Sequence, residues 1–160
     1  MKNKLIIIFS WLLVLSSMLM IYNFSEEDAK ESTATSEGVI VQILDIFMEK
    51  EEITPPVIRK FQIPIRKIAH FGIYMLLGFC MLSAFEKTFK IKIYFNILFS
   101  EIVCALYALS DEIHQNFTAG RGPSAKDVLI DSSGAICGII IFWLLLFIIK
   151  KFNLTAKRSR

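Results

Sequence analysis

Four long apolar runs constrain the fold of this chain more than any other feature. They lie at about residues 5–22, 68–85, 93–115 and 128–149. The hydrocarbon core of a bilayer is about 30 Å thick, and about 20 apolar residues cross it as a helix. Because no water satisfies backbone groups inside lipid, each run predicts a transmembrane helix. The sequence therefore predicts an all-α, polytopic membrane protein that forms one domain over residues 1–160.

The composition agrees with this class. Hydrophobic residues make up 54% of the 160 residues and charged residues 21%, and the mean hydropathy is +0.55. These values are unusual for a soluble domain, and a net charge of +3 is too small to indicate nucleic-acid binding. Cys80, Cys104 and Cys137 all lie in apolar runs without a C-x-x-C spacing. We interpret them as buried small hydrophobes, and no cofactor is predicted.

The distribution of basic residues predicts the orientation in a cell membrane. Lysines and arginines precede the first run, join the second to the third, and follow the fourth. In contrast, residues 26–65 hold nine acidic and four basic residues, and residues 117–127 hold only Arg121 and Lys126 as bases. Basic segments tend to stay on the cytoplasmic side. Both termini are therefore predicted to be cytoplasmic. The first run is predicted to be a retained helix, since no A-x-A-like cleavage site follows it.

The outer segment 26–65 combines a polar stretch with an apolar periodicity. Residues 25–38 are rich in Ser, Thr and Glu and predict an exposed loop, whereas residues 39–52 have apolar positions at helical spacing. That amphipathic helix either lies in the membrane interface or covers the mouth of the bundle. Pro55 and Pro56 are predicted to end it, and Pro64 to lie before the second span.

The predicted topology brings distant polar residues to one membrane depth, at the outer face. Charged groups within a span are costly, so they favour a functional site or specific ion pairs. Arg66, His70 and Tyr74 lie at i, i+4 and i+8, which places them on one helix face. The residues predicted to form a ligand-binding site are Arg66, Lys67, His70, Tyr74, Asp111, Glu112, Gln115, Arg121, Asp127 and Asp131.

Several chemistries remain open for this cluster. Acid–base catalysis would use His70 or His114 with Asp111 or Glu112, although the residues do not single out a catalytic set. A structural network would have Arg66 and Arg121 neutralise the carboxylates. Histidines and carboxylates are also metal-ligand types, but the spacing is not diagnostic because no H-E-x-x-H occurs, so no metal is predicted.

Gly134 and Gly138 form a G-x-x-x-G in the fourth span. This motif allows the backbones of two helices to approach closely. It predicts close packing within the chain, with a homodimer through the same glycines as the alternative.

Motifs in the last three spans resemble the VanZ-like family. The segment RKIAHFGIYMLLG carries a K-x-x-H-F-x-x-Y-x-x-L-G pattern, and E-x-x-Q, a loop Arg and D-x-x-x-D-x-x-G-x-x-x-G follow in order. The matching positions are Lys67, His70, Phe71, Tyr74, Gly78, Glu112, Gln115, Arg121, Asp127, Asp131, Gly134 and Gly138. The resemblance implies a small four-helix membrane protein of the cell envelope. It also implies a link to low-level resistance to the lipoglycopeptide teicoplanin, but no reaction.

Three functional hypotheses follow. In the first, the outer-face site binds an anionic lipid head group, a lipid-linked wall precursor or a lipoglycopeptide, with Arg66, Lys67 and Arg121 facing the negative charge. In the second, the protein is a membrane hydrolase or transferase acting on such a lipid. In the third, it is a structural or partner-binding membrane module.

Overall fold

The computed structural model describes residues 2–26, 29–117 and 124–158. Among these residues the chain is helical and contains no strand, so the predicted all-α class is confirmed. The elements are α1 (Lys2–Glu26), α2 (Ala29–Leu44), a 3-10 turn (Lys50–Glu52), α3 (Pro55–Thr88), α4 (Ile93–Gln115) and α5 (Ala125–Arg158).

Helices α1, α3, α4 and α5 are long and apolar enough to cross a membrane. This confirms the four predicted spans, and α4 has the predicted bounds. Both α3 and α5 contain 34 residues. At 1.5 Å per residue each is about 51 Å long, which exceeds the thickness of the hydrocarbon core. Parts of α3 and α5 therefore extend beyond the core or tilt within it.

Side-chain contacts between helices define one end of the bundle, which we call the polar end. There the Gln115 side chain, at the end of α4, donates to Ser25 Oγ at the end of α1, with an N–O distance of 3.1 Å. Lys67 of α3 and Asp127 of α5 form an ion pair of 3.1 Å at the same end. The final turns of α1 and α4 thus lie beside the N-terminal parts of the spans in α3 and α5, as the predicted topology requires.

The opposite end of the bundle joins the start of α1 to the end of α3. Lys87 Nζ donates to Ser10 Oγ at 2.9 Å, and Trp11 Nε1 donates to Thr88 Oγ1 at 2.9 Å. Helix α1 is therefore antiparallel to α3. Buried apolar side chains fill the bundle between the two ends.

Glycines bring the backbones of α3 and α5 into direct contact. A Cβ atom added at Gly78, Gly134 or Gly138 would overlap backbone atoms of the facing helix. The facing residues are Ala135, Phe71 and Met75, respectively. The predicted use of the G-x-x-x-G within the chain is confirmed, and the homodimer through Gly134 and Gly138 stays a prediction. This seam fixes α5 against the face of α3 that carries the predicted site.

The segment predicted to face outward is more helical than expected. Residues 29–38, predicted as an exposed loop, belong to α2, and the predicted helix over 39–52 already ends at Leu44. Ile40 and Leu44 are buried, and Gln62 of α3 donates to Glu37 at 3.0 Å. Helix α2 packs on α3, which supports the covering role over one confined to the membrane interface.

The prolines act differently from the prediction. Pro55 and Pro56 begin α3 rather than ending a helix, because the first turn of a helix has no partner for its N–H groups. Pro64 lies inside α3, before residue 68, where the second span is predicted to begin. Proline removes one i to i−4 hydrogen bond. The helix nevertheless continues from Pro55 to Thr88.

Candidate functional site

A cleft of about 120 Å³ opens at the polar end between α3 and α5, and α4 contributes one residue to it. We call it the cleft. Six of its lining residues are among the ten predicted for the site. Its lining consists of Ile63, Arg66, Lys67, His70, Gln115, Asp127, Ile130 and Asp131.

Helix α3 supplies one stripe of the site. Arg66 and His70 line the cleft, while Tyr74 lies one turn further into the bundle and is fully buried. The Tyr74 hydroxyl makes no hydrogen bond with any residue that the structure describes. The spacing i, i+4 and i+8 thus produces the predicted polar stripe, which descends from the cleft into the core.

Three side chains from three helices converge beside the cleft, and two of them, His70 and Asp131, line it. His70 of α3, Asp111 of α4 and Asp131 of α5 place one donor atom each so that all three atoms lie within 4.8 Å of one another. We call these residues the acid–histidine cluster. Asp131 is 1% exposed and Asp111 5% exposed. Two carboxylates buried this deeply are costly unless hydrogen bonds or positive charge compensate them.

The α4 residues of the site divide into two groups. Gln115 Nε2 donates to Asp111 Oδ2 at 3.1 Å, which orients that carboxylate within the cluster. Glu112 is also buried, but its carboxylate accepts the backbone N–H of Ser124. Glu112 does not line the cleft. Its role in the described structure is to hold the start of α5.

The two cations of α3 have different surroundings. Lys67 pairs with Asp127, and the two side chains are 41% and 40% exposed. The sequence interpretation assigned the neutralising role to Arg66 and Arg121. Within the described ranges Arg66 makes no ion pair, and Lys67 takes that role instead. The cleft therefore contains one guanidinium that makes no ion pair with a described residue.

Two predicted residues lie elsewhere. The His114 ring stacks on Tyr22 of α1, with a centroid distance of 5.0 Å and an interplanar angle of 28°. It does not line the cleft, so the geometry does not place His114 beside His70 as a catalytic partner. Arg121 lies outside the described residues, between Phe117 and Ser124.

Sequence reasoning missed two serines that shape the site. Ser124 caps α5, since the Asp127 backbone N–H donates to its Oγ at 3.3 Å. The S-x-x-D spacing of Ser124 and Asp127 signals such a cap and could have revealed it. Ser25, which accepts from Gln115, had no comparable signal because it lies in a stretch predicted as loop.

Comparison with known proteins places this architecture in one family. The family model VanZ/LLP1 matches residues 9–147, which include every residue that lines the cleft. No curated protein and no solved structure matches the chain. Since the match covers most of the chain, the protein belongs to the VanZ/LLP1 family. The resemblance drawn from the motifs is confirmed.

Proposed function

We propose that this VanZ/LLP1 membrane protein binds the phosphate-bearing head group of an amphiphile in the cleft, at the outer face of the cell membrane. Through that ligand it would contribute to glycopeptide resistance of the teicoplanin type. One observation carries the proposal: Arg66 lines a small cleft at the end of the bundle and has no anionic partner among the described residues. A guanidinium at such a position favours an anionic ligand.

The chemistry of Arg66 favours a phosphate. A guanidinium presents its N–H groups as a planar fork that donates two parallel hydrogen bonds to phosphate or carboxylate oxygens. The half-exposed Lys67 lies one residue away and can exchange its pairing with Asp127 for the ligand, since such surface pairs are weak. Two cations would then approach one anionic group.

The rim of the cleft is apolar. Ile63 and Ile130 line it together with the charged residues. Ile63 is 66% exposed, and the neighbouring Ile68 and Leu129 are 68% and 70% exposed. A polar floor with an exposed apolar surface beside it suits a molecule with a charged head and a hydrocarbon tail. This supports an amphiphile over a free anion.

The size of the cleft discriminates between the ligand classes. A cleft of about 120 Å³ is smaller than the pockets of roughly 300–1,000 Å³ that enclose drug-sized ligands. A phosphoryl group fits this space, whereas a glycopeptide does not. The volume therefore supports a lipid or a lipid-linked wall precursor as the direct ligand. An effect on a lipoglycopeptide would then arise through that ligand.

The proposed orientation rests on the two ends of the bundle. The start of α1, the end of α5 and the segment from Lys87 to Lys92 lie at the end opposite the cleft, and these segments are rich in lysine and arginine. Because basic segments stay inside, the cleft would face outward. Lys126 is exposed at the polar end, and the native cysteines are buried or partly buried. A cysteine introduced there should react in whole cells with a membrane-impermeant maleimide, and labelling only after lysis would reverse the orientation.

Binding is tested with the full-length protein in nanodiscs of zwitterionic lipid. Native mass spectrometry would compare short-chain phosphatidylglycerol, polyprenyl phosphate and short-chain phosphatidylcholine. Phosphatidylglycerol and polyprenyl phosphate both carry an exposed anionic phosphate, but on different tails. The order of their affinities therefore distinguishes a diacyl lipid from a lipid-linked precursor. The variant is Arg66→Gln, and the control is Lys126→Gln, which removes the same charge at the same end but outside the cleft.

We expect one or both anionic probes to bind the wild-type protein more tightly than phosphatidylcholine does. Loss of a charge-assisted fork should weaken that binding at least about tenfold in Arg66→Gln, since such bonds contribute about 1.5–3 kcal/mol. Lys126→Gln should stay within about twofold of the wild type. Equal losses in the two variants, or no preference for the anionic probes, would overturn the proposal.

A further inference from the structure

We propose that His70, Asp111 and Asp131 form a site for a divalent transition-metal ion, for which Zn²⁺ is the best fit. This assignment rests on the acid–histidine cluster and not on the proposed head-group binding. Sequence spacing does not predict this metal site, because the three ligands come from three helices and have no diagnostic spacing.

The distances suit coordination better than direct pairing. His70 Nδ1 and Asp131 Oδ1 are 3.7 Å apart, which is too long for a hydrogen bond. Zinc binds imidazole nitrogen and carboxylate oxygen at about 2.0–2.2 Å, so two ligands of a tetrahedral ion lie about 3.4 Å apart. The three donor atoms lie within 4.8 Å of one another. A small rotation of the Asp111 and Asp131 side chains would bring all three donor atoms within coordination distance of one ion.

The charge balance also favours a cation. Asp131 Oδ1 is buried and makes no hydrogen bond with any described residue. Asp111 receives one N–H from the neutral Gln115. Of the bases that line the cleft, Lys67 pairs with Asp127, and Arg66 makes no ion pair with the cluster among the described residues. An ion bound by both carboxylates would offset the cost of burying them.

Tyr74 provides an independent observation. Its hydroxyl is fully buried and makes no hydrogen bond within the described ranges. It lies one helical turn from His70 on the same face of α3, beside the cluster. A buried hydroxyl without a partner is costly. A metal ion, or a water molecule bound to that ion, would supply the missing partner.

The surrounding residues have the arrangement of a supported metal site. Metal-bound carboxylates are usually held in place by further hydrogen bonds, and Gln115 supplies one to Asp111. Three protein ligands leave a fourth position on a tetrahedral ion. His70 and Asp131 line the cleft, so that position is available to water or to an anionic oxygen from the cleft.

The test measures metal binding in the absence of any amphiphile. Full-length protein in detergent is stripped with a chelator, and Zn²⁺ affinity is then measured by competition with a chromophoric chelator. The variants are His70→Gln and Asp131→Asn, which remove ligand atoms but keep most of the side-chain volume. The matched controls are His114→Gln, which removes the other histidine, and Asp127→Asn, which removes a cleft carboxylate outside the cluster.

We expect about one ion per wild-type chain and at least about tenfold weaker binding in both ligand variants, with the controls within about threefold. Zn²⁺ should raise the Tm of the wild type and of both controls, but not that of the ligand variants. Absence of stoichiometric binding, or equal affinity in ligand variants and controls, would overturn the assignment. If the ligand variants do not fold, pulsed electron paramagnetic resonance of Cu²⁺-loaded His114→Gln decides the question. Nitrogen coupling from one imidazole supports the site, and its absence contradicts it.

Discussion

The two ends of the bundle use positive charge in different ways. At the end opposite the cleft, the Lys87 ammonium donates to the hydroxyls of Ser10 and Ser83 at 2.9 and 2.7 Å. At the polar end, the Arg66 guanidinium lines the cleft and has no ion pair among the described residues. A cation that is hydrogen-bonded inside the chain stabilises helix packing, whereas a cation without a partner is available to a ligand. Under the proposed function, this difference separates a structural charge from a binding charge within one small bundle.

The glycine contacts between α3 and α5 hold both ends of the bundle in position. Their disruption should have the largest effect on the free energy of unfolding. In Gly138→Ala the new Cβ would overlap backbone atoms of Met75 and Phe79, which cannot move as a side-chain tip can. We expect a loss of about 3 kcal/mol in the free energy of unfolding. The measurement is denaturant titration in detergent, followed by circular dichroism.

Gly72→Ala is the control for the seam. It lies in α3 with no atom within 4 Å of an added Cβ, so alanine should be neutral or stabilise the helix by up to about 1 kcal/mol. Equal destabilisation by the two substitutions would show that the contacts between α3 and α5 do not hold the bundle together.

Removal of the charge at the opposite end should affect stability more than binding. Lys87→Gln loses the hydrogen bond from Lys87 of α3 to Ser10 of α1, and Lys87 is exposed. We expect a loss of about 1 kcal/mol in the free energy of unfolding, with amphiphile affinity unchanged. A fall in amphiphile affinity with unchanged stability would place the binding function at the end opposite the cleft and contradict the comparison.

The equivalent change at the polar end should give the reverse pattern. Arg66→Gln removes no ion pair from the described structure, so the free energy of unfolding should change by less than about 0.5 kcal/mol. Affinity for the anionic probes should fall at least about tenfold, since a charge-assisted hydrogen bond is lost. Thermal unfolding of ligand-free Arg66→Gln measures the change in the free energy of unfolding. A loss of stability as large as that of Lys87→Gln would assign Arg66 a structural role.

The ion pair between Lys67 and Asp127 should contribute least. Both side chains are about two-fifths exposed, and screened surface pairs contribute up to about 1 kcal/mol. A double-mutant cycle with Lys67→Gln and Asp127→Asn should give a coupling energy below about 0.5 kcal/mol. A coupling of several kcal/mol would support the structural network over the binding site.

Helix periodicity was sufficient to predict which candidate residues share one face of α3. Arg66, His70 and Tyr74 share a face because their spacing fixes their relative direction, and the topology places them near α4 and α5. Periodicity does not fix how each helix is rotated about its axis. Asp111 and His114 are both plausible partners of His70 by spacing, but packing turns His114 towards Tyr22 and Asp111 towards the cluster.

Other features depend on tertiary contacts that local signals do not contain. The polar composition of residues 29–38 indicates a loop, yet these residues continue the helix that buries Ile40 and Leu44. Pro64 indicates a helix boundary, yet α3 runs through it. In both cases helix packing outweighs a local preference of about 1–3 kcal/mol. Gly78 was not predicted as a contact because its partner, Ala135, lies on another helix.

The most direct test of the central claim measures the distance between the Arg66 guanidinium and the phosphorus of a bound amphiphile. Solid-state NMR can detect dephasing between arginine ¹³Cζ and ³¹P in labelled protein bound to the tightest anionic probe. A bidentate contact predicts a separation of about 4 Å, with dephasing that is lost in Arg66→Lys and kept in Arg59→Lys. Dephasing that survives in Arg66→Lys would place the phosphate elsewhere and contradict the account.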